Sequence, residues 1–196
     1  MEYLVMAPTD REYANITAAI ARGGHKNRYE VCKCGVGKAL AAANTAAALL
    51  RGGMRYDRIA VIGYAAATAG QQRGRLVAPC AARYHDCRVP AAFVPELAET
   101  YRLLGRDKVE VWTGDAFVDA AIAAEVKQRL GMDAGLFDME TAAICQAAAT
   151  LTDIPVVVVK MVSDIPEECD TEHSYDEFVD SHSDFGTILD YIENFE

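Results

Sequence analysis

Two acidic residues lie beside apolar stretches of the chain, where a folded protein normally avoids an unpaired charge. Asp164 ends the most apolar run, residues 154–164, and Glu140 lies within a second apolar stretch, residues 135–144. A carboxylate at the end of a buried strand is costly to desolvate unless it is paired or used. Ligands of open α/β sheets bind at the carboxyl ends of the strands. The two carboxylates therefore predict a ligand site, with acid chemistry as the reaction they could perform.

Three further segments fall at predicted strand ends or turns and are candidates for the same site: residues 7–12, 63–68 and 113–118. Several common motifs are missing from the sequence. There is no Gly-x-x-x-x-Gly-Lys-Ser/Thr loop and no Gly-x-Ser-x-Gly elbow, and Gly35 and Gly37 lack the third glycine of a dinucleotide fingerprint. The sequence therefore offers no support for a phosphate loop, a dinucleotide site or a serine nucleophile elbow.

Strands and helices alternate along the chain. Strands are predicted near residues 3–7, 29–34, 58–64, 75–84, 109–113, 136–139 and 154–162. Helices are predicted near residues 10–22, 38–50, 90–102, 118–130, 141–151 and 174–195. This alternation is typical of an α/β fold. We expect a single-domain three-layer fold over residues 1–196, with a central twisted mixed β-sheet flanked by helices.

Composition excludes several classes of function. The net charge of −10 and the lack of a basic patch argue against nucleic acid as a partner. No apolar run approaches the roughly 20 residues of a membrane span, and the N-terminus lacks the basic region of a signal peptide. We expect the six cysteines to be reduced thiols of a cytoplasmic protein. Cys80, His85 and Cys87 match no zinc pattern, so neither a metal nor a cofactor is predicted.

Three motifs occur in a specific order. Residues 113–117 read Thr-Gly-Asp-Ala-Phe, residues 138–144 read Asp-Met-Glu-Thr-Ala-Ala-Ile, and residues 157–164 read Val-Val-Val-Lys-Met-Val-Ser-Asp. Together they resemble the purine nucleoside phosphorylase superfamily over nearly the whole chain. The segments 35–38, 82–86 and 173–178 make the 5′-methylthioadenosine/S-adenosylhomocysteine nucleosidases the most similar branch. The resemblance implies a nucleoside phosphorylase-like fold, and a homodimer.

The resemblance also assigns roles at the purine end of the site. Asp164 would be the general acid that protonates N7 of the base, and Ser163 would orient it. Phe117 would stack on the base, while the backbone of Val118 would hydrogen-bond its edge. Structural interpretations remain open beside these roles. Asp164 could cap the next helix, and Phe117 could be a core residue.

At the sugar end, the resemblance places Met139 under the ribose and Glu140 as acceptor for its hydroxyls. Glu12 would position and activate the attacking water, with Asp10 as the rival for that role. Glu140 could instead be a first-turn helix charge. Tyr64 departs from the family, which has a Gly-Ser-Ala-Gly-Gly-like turn where this chain reads Gly-Tyr-Ala-Ala-Ala-Thr. Its ring would reshape the ribose end and could add a hydroxyl donor.

The proposed roles agree with the chemistry of N-glycosidic cleavage. Breaking the bond builds positive charge on the sugar and negative charge on the departing base. A buried acid relieves the second charge, and carboxylates facing the sugar stabilise the first. The arrangement parallels two-carboxylate glycoside hydrolysis.

Water is a better nucleophile hypothesis than phosphate for this sequence. Phosphorylases of the superfamily hold phosphate with arginines, yet residues 59–63 contain none and Arg11 alone remains on the first loop. We therefore expect a purine nucleosidase that hydrolyses adenine nucleosides, such as methylthioadenosine or S-adenosylhomocysteine, to free adenine and the ribose moiety. The alternatives are a phosphate-dependent phosphorylase, a hydrolase of the aminofutalosine type, and a catalytically lapsed nucleoside-binding member. Segment 87–112 is shorter than in the family, which leaves the 5′ substituent open.

Overall fold

The structure, a computed structural model, describes residues 1–90, 100–168 and 171–194, with the backbone alone for residues 171 and 172. The strands are β1 Glu2–Ala7, β2 Arg28–Lys33, β3 Arg58–Ala67, β4 Leu76–Val77, β5 Pro79–Tyr84, β6 Tyr101–Arg102, β7 Asp107–Thr113, β8 Gly135–Asp138 and β9 Val156–Val162. The helices are α1 Asp10–Ala21, α2 Lys38–Arg51, α3 Ala120–Leu130, α4 Thr141–Leu151, α5 Thr171–Ser181 and α6 Gly186–Glu193. Within these residues, no helix is long and apolar enough to cross a membrane.

The strands form one curled mixed sheet in two halves that share β3. In the first half, β2, β1, β3 and β9 run parallel, and β4 pairs antiparallel with β9. In the second half, β8, β7 and β5 run parallel, and β6 pairs antiparallel with β5. The end of β3 joins the halves by pairing antiparallel with β8. The predicted α/β fold, a mixed sheet flanked by helices, is confirmed.

Strand β3 is longer than the sequence pattern predicted. We expected it to end near Tyr64 and to be followed by a turn over residues 63–68. Instead it pairs with β9 through Ala65 and then with β8 through Ala66 and Ala67. The small alanine side chains let one strand leave the first half of the sheet and enter the second. The segment predicted as a turn is therefore the part of β3 that joins the two halves of the sheet.

Other predicted boundaries were wrong. Residues 75–84 form two strands, because β4 pairs with β9 while β5 pairs with β7. Of the helix predicted over residues 90–102, residues 91–99 lie outside the described residues, and Tyr101–Arg102 belong to β6. The C-terminal helix predicted over residues 174–195 is two helices, α5 and α6, and residue 195 lies outside the described residues. The Tyr64 hydroxyl donates to the carbonyl of His182 between these two helices.

The sheet is buried on both faces. On one face, α1, α5 and α6 cover alternate residues of the strands, such as Val5 of β1 and Ile62 of β3. On the other face, α2 and α4 cover the intervening residues, such as Leu4 and Val61. This two-sided burial explains why the parallel strands read as continuous apolar runs. A smaller cluster under α3 is centred on Trp112.

A buried ion pair links the two halves of the sheet. Lys160 of β9 is fully buried, and its Nζ lies 2.9 Å from Oδ2 of Asp138 at the end of β8. Burial alone would raise the pKa of Asp138, but Lys160 and hydrogen bonds from Thr113 and Thr141 outweigh burial and lower that pKa. Burial would likewise lower the pKa of Lys160, and the neighbouring carboxylates raise it instead. Both groups therefore stay charged in the interior.

Removing the ammonium of this pair should destabilise the fold strongly. Lys160→Met leaves the Asp138 carboxylate buried without its counter-ion, so we expect the free energy of unfolding to fall by about 3–5 kcal/mol. Urea denaturation at neutral pH measures the change. The control is Lys33→Met, which removes an exposed ion pair with Asp10 and should leave the unfolding midpoint nearly unchanged. Equal stability of the two variants would contradict the prediction.

Candidate active site

A cavity of about 220 Å³ opens at the carboxyl ends of the central strands. All eight residues predicted for the site line it: Glu12, Tyr64, Phe117, Val118, Met139, Glu140, Ser163 and Asp164. They come from α1, β3, the loop after β7, the β8–α4 junction and the segment after β9. The fold thus brings together in one cavity residues that are up to 152 positions apart in the sequence (Glu12 to Asp164).

Asp164 lies just beyond the end of β9 and is only 1% exposed. The Ser163 hydroxyl donates to its Oδ1 at 2.5 Å, whereas Oδ2 has no partner in the described part of the chain. Burial raises the pKa of the carboxyl, against the opposing effects of the Ser163 hydrogen bond and the Arg73 charge. The next helix begins at Thr171, so Asp164 does not cap it. Burial thus favours the protonated form of this carboxyl, and that form can donate a proton to a ligand.

Glu12 is held by three hydrogen bonds and is 2% exposed. Its Oε2 accepts from the backbone N–H of Thr9 at 3.0 Å and from the Thr9 hydroxyl at 2.7 Å, as the N3 residue of a capping box. Its Oε1 accepts from the backbone N–H of Tyr64 at 3.1 Å. A Cβ on Gly63 would collide with this Oε1, so the glycine makes room for the carboxylate. The same side chain therefore caps α1 and faces the cavity.

Asp10, the rival of Glu12, lies elsewhere. Its side chain is 86% exposed and forms an ion pair with Lys33. Arg11, the candidate phosphate ligand, forms an exposed ion pair with Asp180 at 2.9 Å and does not line the cavity. Among the described residues, no lysine or arginine lines the cavity. The wall is therefore rich in carboxylates and poor in cations.

Glu140 immediately precedes α4, but its side chain does not cap the helix. Its Oε1 accepts from the backbone N–H of Gly37 at 3.0 Å. Burial, followed by the negative charge of Asp138, raises the pKa of Glu140 to about 8, against the opposing charge of Lys160. Lys160 is thus one ammonium near three acidic side chains, since Glu12 also acts on it. This surplus of acidic groups suits a ligand that develops positive charge.

The rim of the cavity is aromatic. Phe117 is 53% exposed and its ring meets Tyr175 edge-on at 5.9 Å, so it is not a core residue. Tyr64 packs edge-on against Tyr175 and Phe185, at 6.1 and 5.2 Å. The Tyr64 hydroxyl donates to the carbonyl of His182 at 2.5 Å, so it does not serve as the additional donor that the sequence suggested for the ribose end. An exposed aromatic face at the rim can stack on a flat ligand.

Two flanking residues complete the predicted set. Val118 is buried with Trp112 in the small cluster under α3, and it also lines the cavity. Met139 is partly buried and lines the cavity between Asp138 and Glu140.

Sequence reasoning missed three residues that shape the site. Lys160 carried a signal, since it is the single charged residue of the strand Val156–Val162. The sequence drew attention to Asp138 only as a neighbour of Glu140. The structure shows that Asp138 receives hydrogen bonds from Thr113 and Thr141. Tyr175 lines the cavity from α5; it lies in segment 173–178, which carried the family resemblance, but no role was assigned to it.

The raised pKa of Glu140 links stability to pH. In the folded protein the pKa of Glu140 is about 8, whereas the ordinary pKa of a glutamate is 4.5. Between these values the folded state binds more protons than the unfolded state, so the free energy of unfolding falls as pH rises through this window. Glu140→Gln should flatten that fall, as measured by urea denaturation across the window. Glu125→Gln, on the exposed face of α3, serves as the control, and an unchanged slope in Glu140→Gln would refute the assignment.

Comparisons with known sequences and structures identify one superfamily and one fold. The sequence model of the phosphorylase superfamily matches residues 8–189. The 5′-methylthioadenosine/S-adenosylhomocysteine nucleosidase of S. pneumoniae, solved with a transition-state inhibitor, is 22% identical with a TM-score of 0.78, over 100% of this chain and 98% of that one. The corresponding nucleosidase of Colwellia psychrerythraea 34H, solved with adenine, is 22% identical with a TM-score of 0.80, over 100% and 94%.

A third similar structure has a different activity in its name. The futalosine hydrolase of Helicobacter pylori strain 26695 is 16% identical with a TM-score of 0.80, over 98% of this chain and 97% of that one. At these identities the structural likeness establishes the fold. No curated protein matches the sequence. Because the family model covers nearly the whole sequence, the chain belongs to the phosphorylase superfamily.

Proposed function

We propose that this protein is a purine nucleosidase that hydrolyses the N-glycosidic bond of adenine nucleosides, of the 5′-methylthioadenosine or S-adenosylhomocysteine type. The observation that carries the proposal is the arrangement of carboxyl groups in one cavity. Asp164 is buried with a raised pKa and a free Oδ2, and it shares the cavity with Glu12 and Glu140. Two nucleosidases of this fold were solved with a transition-state inhibitor and with adenine, which agrees with the proposal.

At the base end, Asp164 acts as general acid. The bond between C1′ and N9 breaks, its electron pair moves onto the purine, and the proton of Asp164 passes to N7. Ser163 keeps the carboxyl oriented through its 2.5 Å hydrogen bond. Phe117 stacks on the base, a contact worth about 1–3 kcal/mol, and the backbone of Val118 hydrogen-bonds the purine edge.

At the sugar end, the Glu12 carboxylate stabilises the positive charge that develops on the ribose. Glu140 accepts hydrogen bonds from the ribose hydroxyls, and Met139 packs beneath the ring. Glu12 holds the water whose oxygen bonds to C1′ and takes up the proton released. Among the described residues, the Oε1 of Glu12 accepts a single hydrogen bond, from Tyr64, so it keeps a lone pair for the water.

Water is supported over phosphate by the charges around the cavity. A phosphate dianion needs cationic ligands. The described wall has none, and the carboxylates of Glu12 and Asp138 on that wall would repel an anion. Hydrolysis is therefore the favoured reaction, with phosphorolysis and a lapsed nucleoside-binding protein as the alternatives that experiment must separate.

Asp164→Asn should slow adenine release from methylthioadenosine by about 10²- to 10⁴-fold, because an amide cannot donate the proton. Release is measured in phosphate-free buffer by separating free adenine from nucleoside. Asp153→Asn, in an exposed loop, is the control and should retain full activity. Nucleosides of the aminofutalosine type belong in the same assay, because one similar fold is a futalosine hydrolase.

The same assay discriminates the alternatives. Adenine release only after addition of phosphate would establish a phosphorylase. Nucleoside binding without release by the wild-type protein would establish the lapsed form. Equal release by wild type and Asp164→Asn would remove Asp164 as the acid.

We also propose that the protein is a homodimer of single-domain subunits, with the second copy covering the apolar rim of the cavity. Val36 and Phe117 line the cavity yet are exposed, and Leu40 extends the apolar surface along α2. Leu40→Glu should therefore give a monomer by light scattering, because a charge at a dimer interface is costly to desolvate. Leu50→Glu, at an exposed leucine near the other end of α2, should stay dimeric. A wild-type protein of monomer mass would reject the proposal.

A further inference from the structure

Three sequence motifs meet at one side of the cavity. They contain few or none of the residues with a proposed role in the reaction. They are the segment 35–38, the segment 82–86 and the start of the segment 113–117. Lys38 Nζ donates to Asp86 Oδ2 at 2.6 Å and lies 3.5 Å from Asp115 Oδ2. One lysine thus joins three loops that are distant in the sequence. We call Lys38, Asp86 and Asp115 the rim cluster.

Backbone hydrogen bonds tighten the same junction. The N–H of Lys38 donates to Asp115 Oδ1 at 2.8 Å, and the N–H of Asp115 donates to Asp86 Oδ2 at 3.0 Å. Asp86 therefore receives both a side-chain cation and a backbone donor on one oxygen. Burial would raise the pKa of Asp86, but Lys38 and the Asp115 N–H lower it, so the carboxylate stays charged.

The rim cluster is directly connected to both ends of the proposed site. Gly37, next to Lys38, donates its N–H to Glu140 at 3.0 Å on the sugar side. Asp115 lies two residues before Phe117 and three before Val118, on the base side. Gly37 has φ of 88°, and a Cβ there would lie 3.2 Å from Asp115 Oδ1. The turn and the loop therefore meet at close range, with little room for adjustment.

Lys38 is only partly exposed, and it has a second support. Its ammonium lies 5.7 Å from the centre of the Tyr84 ring, and the Tyr84 hydroxyl donates to Gln146 of α4 at 2.7 Å. Since Glu140 directly precedes α4, the lysine and the carboxylate are anchored to the same helix. The ion pair is thus part of a framework rather than a mobile surface contact.

We propose that Lys38 is a positioning residue of the nucleoside site, which holds the loop of Phe117 and Val118 and the carboxylate of Glu140 at a fixed spacing around one ligand. The proposal rests on the proposed function for the identity of that ligand. Lys38 does not line the cavity, so it acts through Gly37 and Asp115. Small displacements of such groups are costly to binding and catalysis, because both need the groups in place simultaneously.

The test compares Lys38→Met with Lys38→Arg and with a matched control. Lys127→Met is the control, because Lys127 and its partner Glu167 are exposed to a similar degree, 28% and 22%, as Lys38 and Asp86, 26% and 31%. Lys38→Met should weaken adenine binding about tenfold and lower kcat/KM for methylthioadenosine by about 10²-fold. Lys38→Arg, which keeps the charge, should restore most of both, and Lys127→Met should match wild type.

A second measurement distinguishes positioning from general loosening. If Lys38 acts on Glu140, the preference for adenosine over its 2′,3′-dideoxy analogue should shrink about tenfold in Lys38→Met and stay unchanged in Lys127→Met. Combining Lys38→Met with Glu140→Gln should then reduce that preference no further than Glu140→Gln alone. A folded Lys38→Met protein with wild-type adenine affinity and wild-type sugar preference overturns the proposal.

Hydrogen exchange separates this proposal from the proposed function. If wild type releases no adenine, the nucleosidase proposal fails, and the binding measurements still report on Lys38. If wild type binds no adenine, amide exchange of residues 113–118 and Gly37 decides. Faster exchange in Lys38→Met than in Lys127→Met supports the positioning role of Lys38, and equal exchange overturns it. Asp115→Asn, which keeps the shape of the loop, should show a smaller effect in the same direction if Lys38→Met does not fold.

Discussion

The ion pair between Lys160 and Asp138 joins strands β9 and β8, which do not pair with each other and meet only through β3. A buried charge pair is costly unless its remaining hydrogen-bonding capacity is satisfied. Here Thr113 and Thr141 donate to Asp138, whereas the Lys160 ammonium has no hydrogen-bond partner in the described part of the chain and depends on the ion pair. The pair places a cation under the cavity. Without that cation, the Asp138 carboxylate would be an uncompensated negative charge beside Glu12 and Glu140.

Strand β3 is the second element on which the cavity depends. It runs from the parallel half of the sheet to the antiparallel junction with β8, and the cavity lies where it crosses. Gly63 leaves space for Glu12, and the backbone N–H of Tyr64 then holds that carboxylate. The capping box of α1 and the strand therefore fix one side chain from two directions. A residue with an ordinary structural role becomes available for chemistry because it also lines the cavity.

The two ends of the cavity differ in how they control protons. At Asp164, burial dominates, and one hydroxyl partner leaves the second oxygen free. At Glu140, burial is reinforced by Asp138 and opposed by Lys160 and a backbone donor. Separate environments that shift carboxyl pKa values differently are typical of sites with distinct acid and electrostatic roles. The rim cluster connects the two ends of the cavity through the segments that carry Gly37 and Asp115.

The sequence by itself determined the alternation of strands and helices, the bounds of α4 and the positions of the two carboxylates next to apolar strands. Hydrophobic period, β-branched content and motif order are local properties, so they can be seen without a structure. The tertiary structure decided what depends on distant residues. It extended β3 through Ala67, divided the C-terminal helix, and placed Glu12 rather than Asp10 at the cavity. It also paired Lys160 with Asp138 and turned the Tyr64 hydroxyl toward His182. Partner choice and burial follow from contacts between segments far apart in the chain, which no local pattern contains.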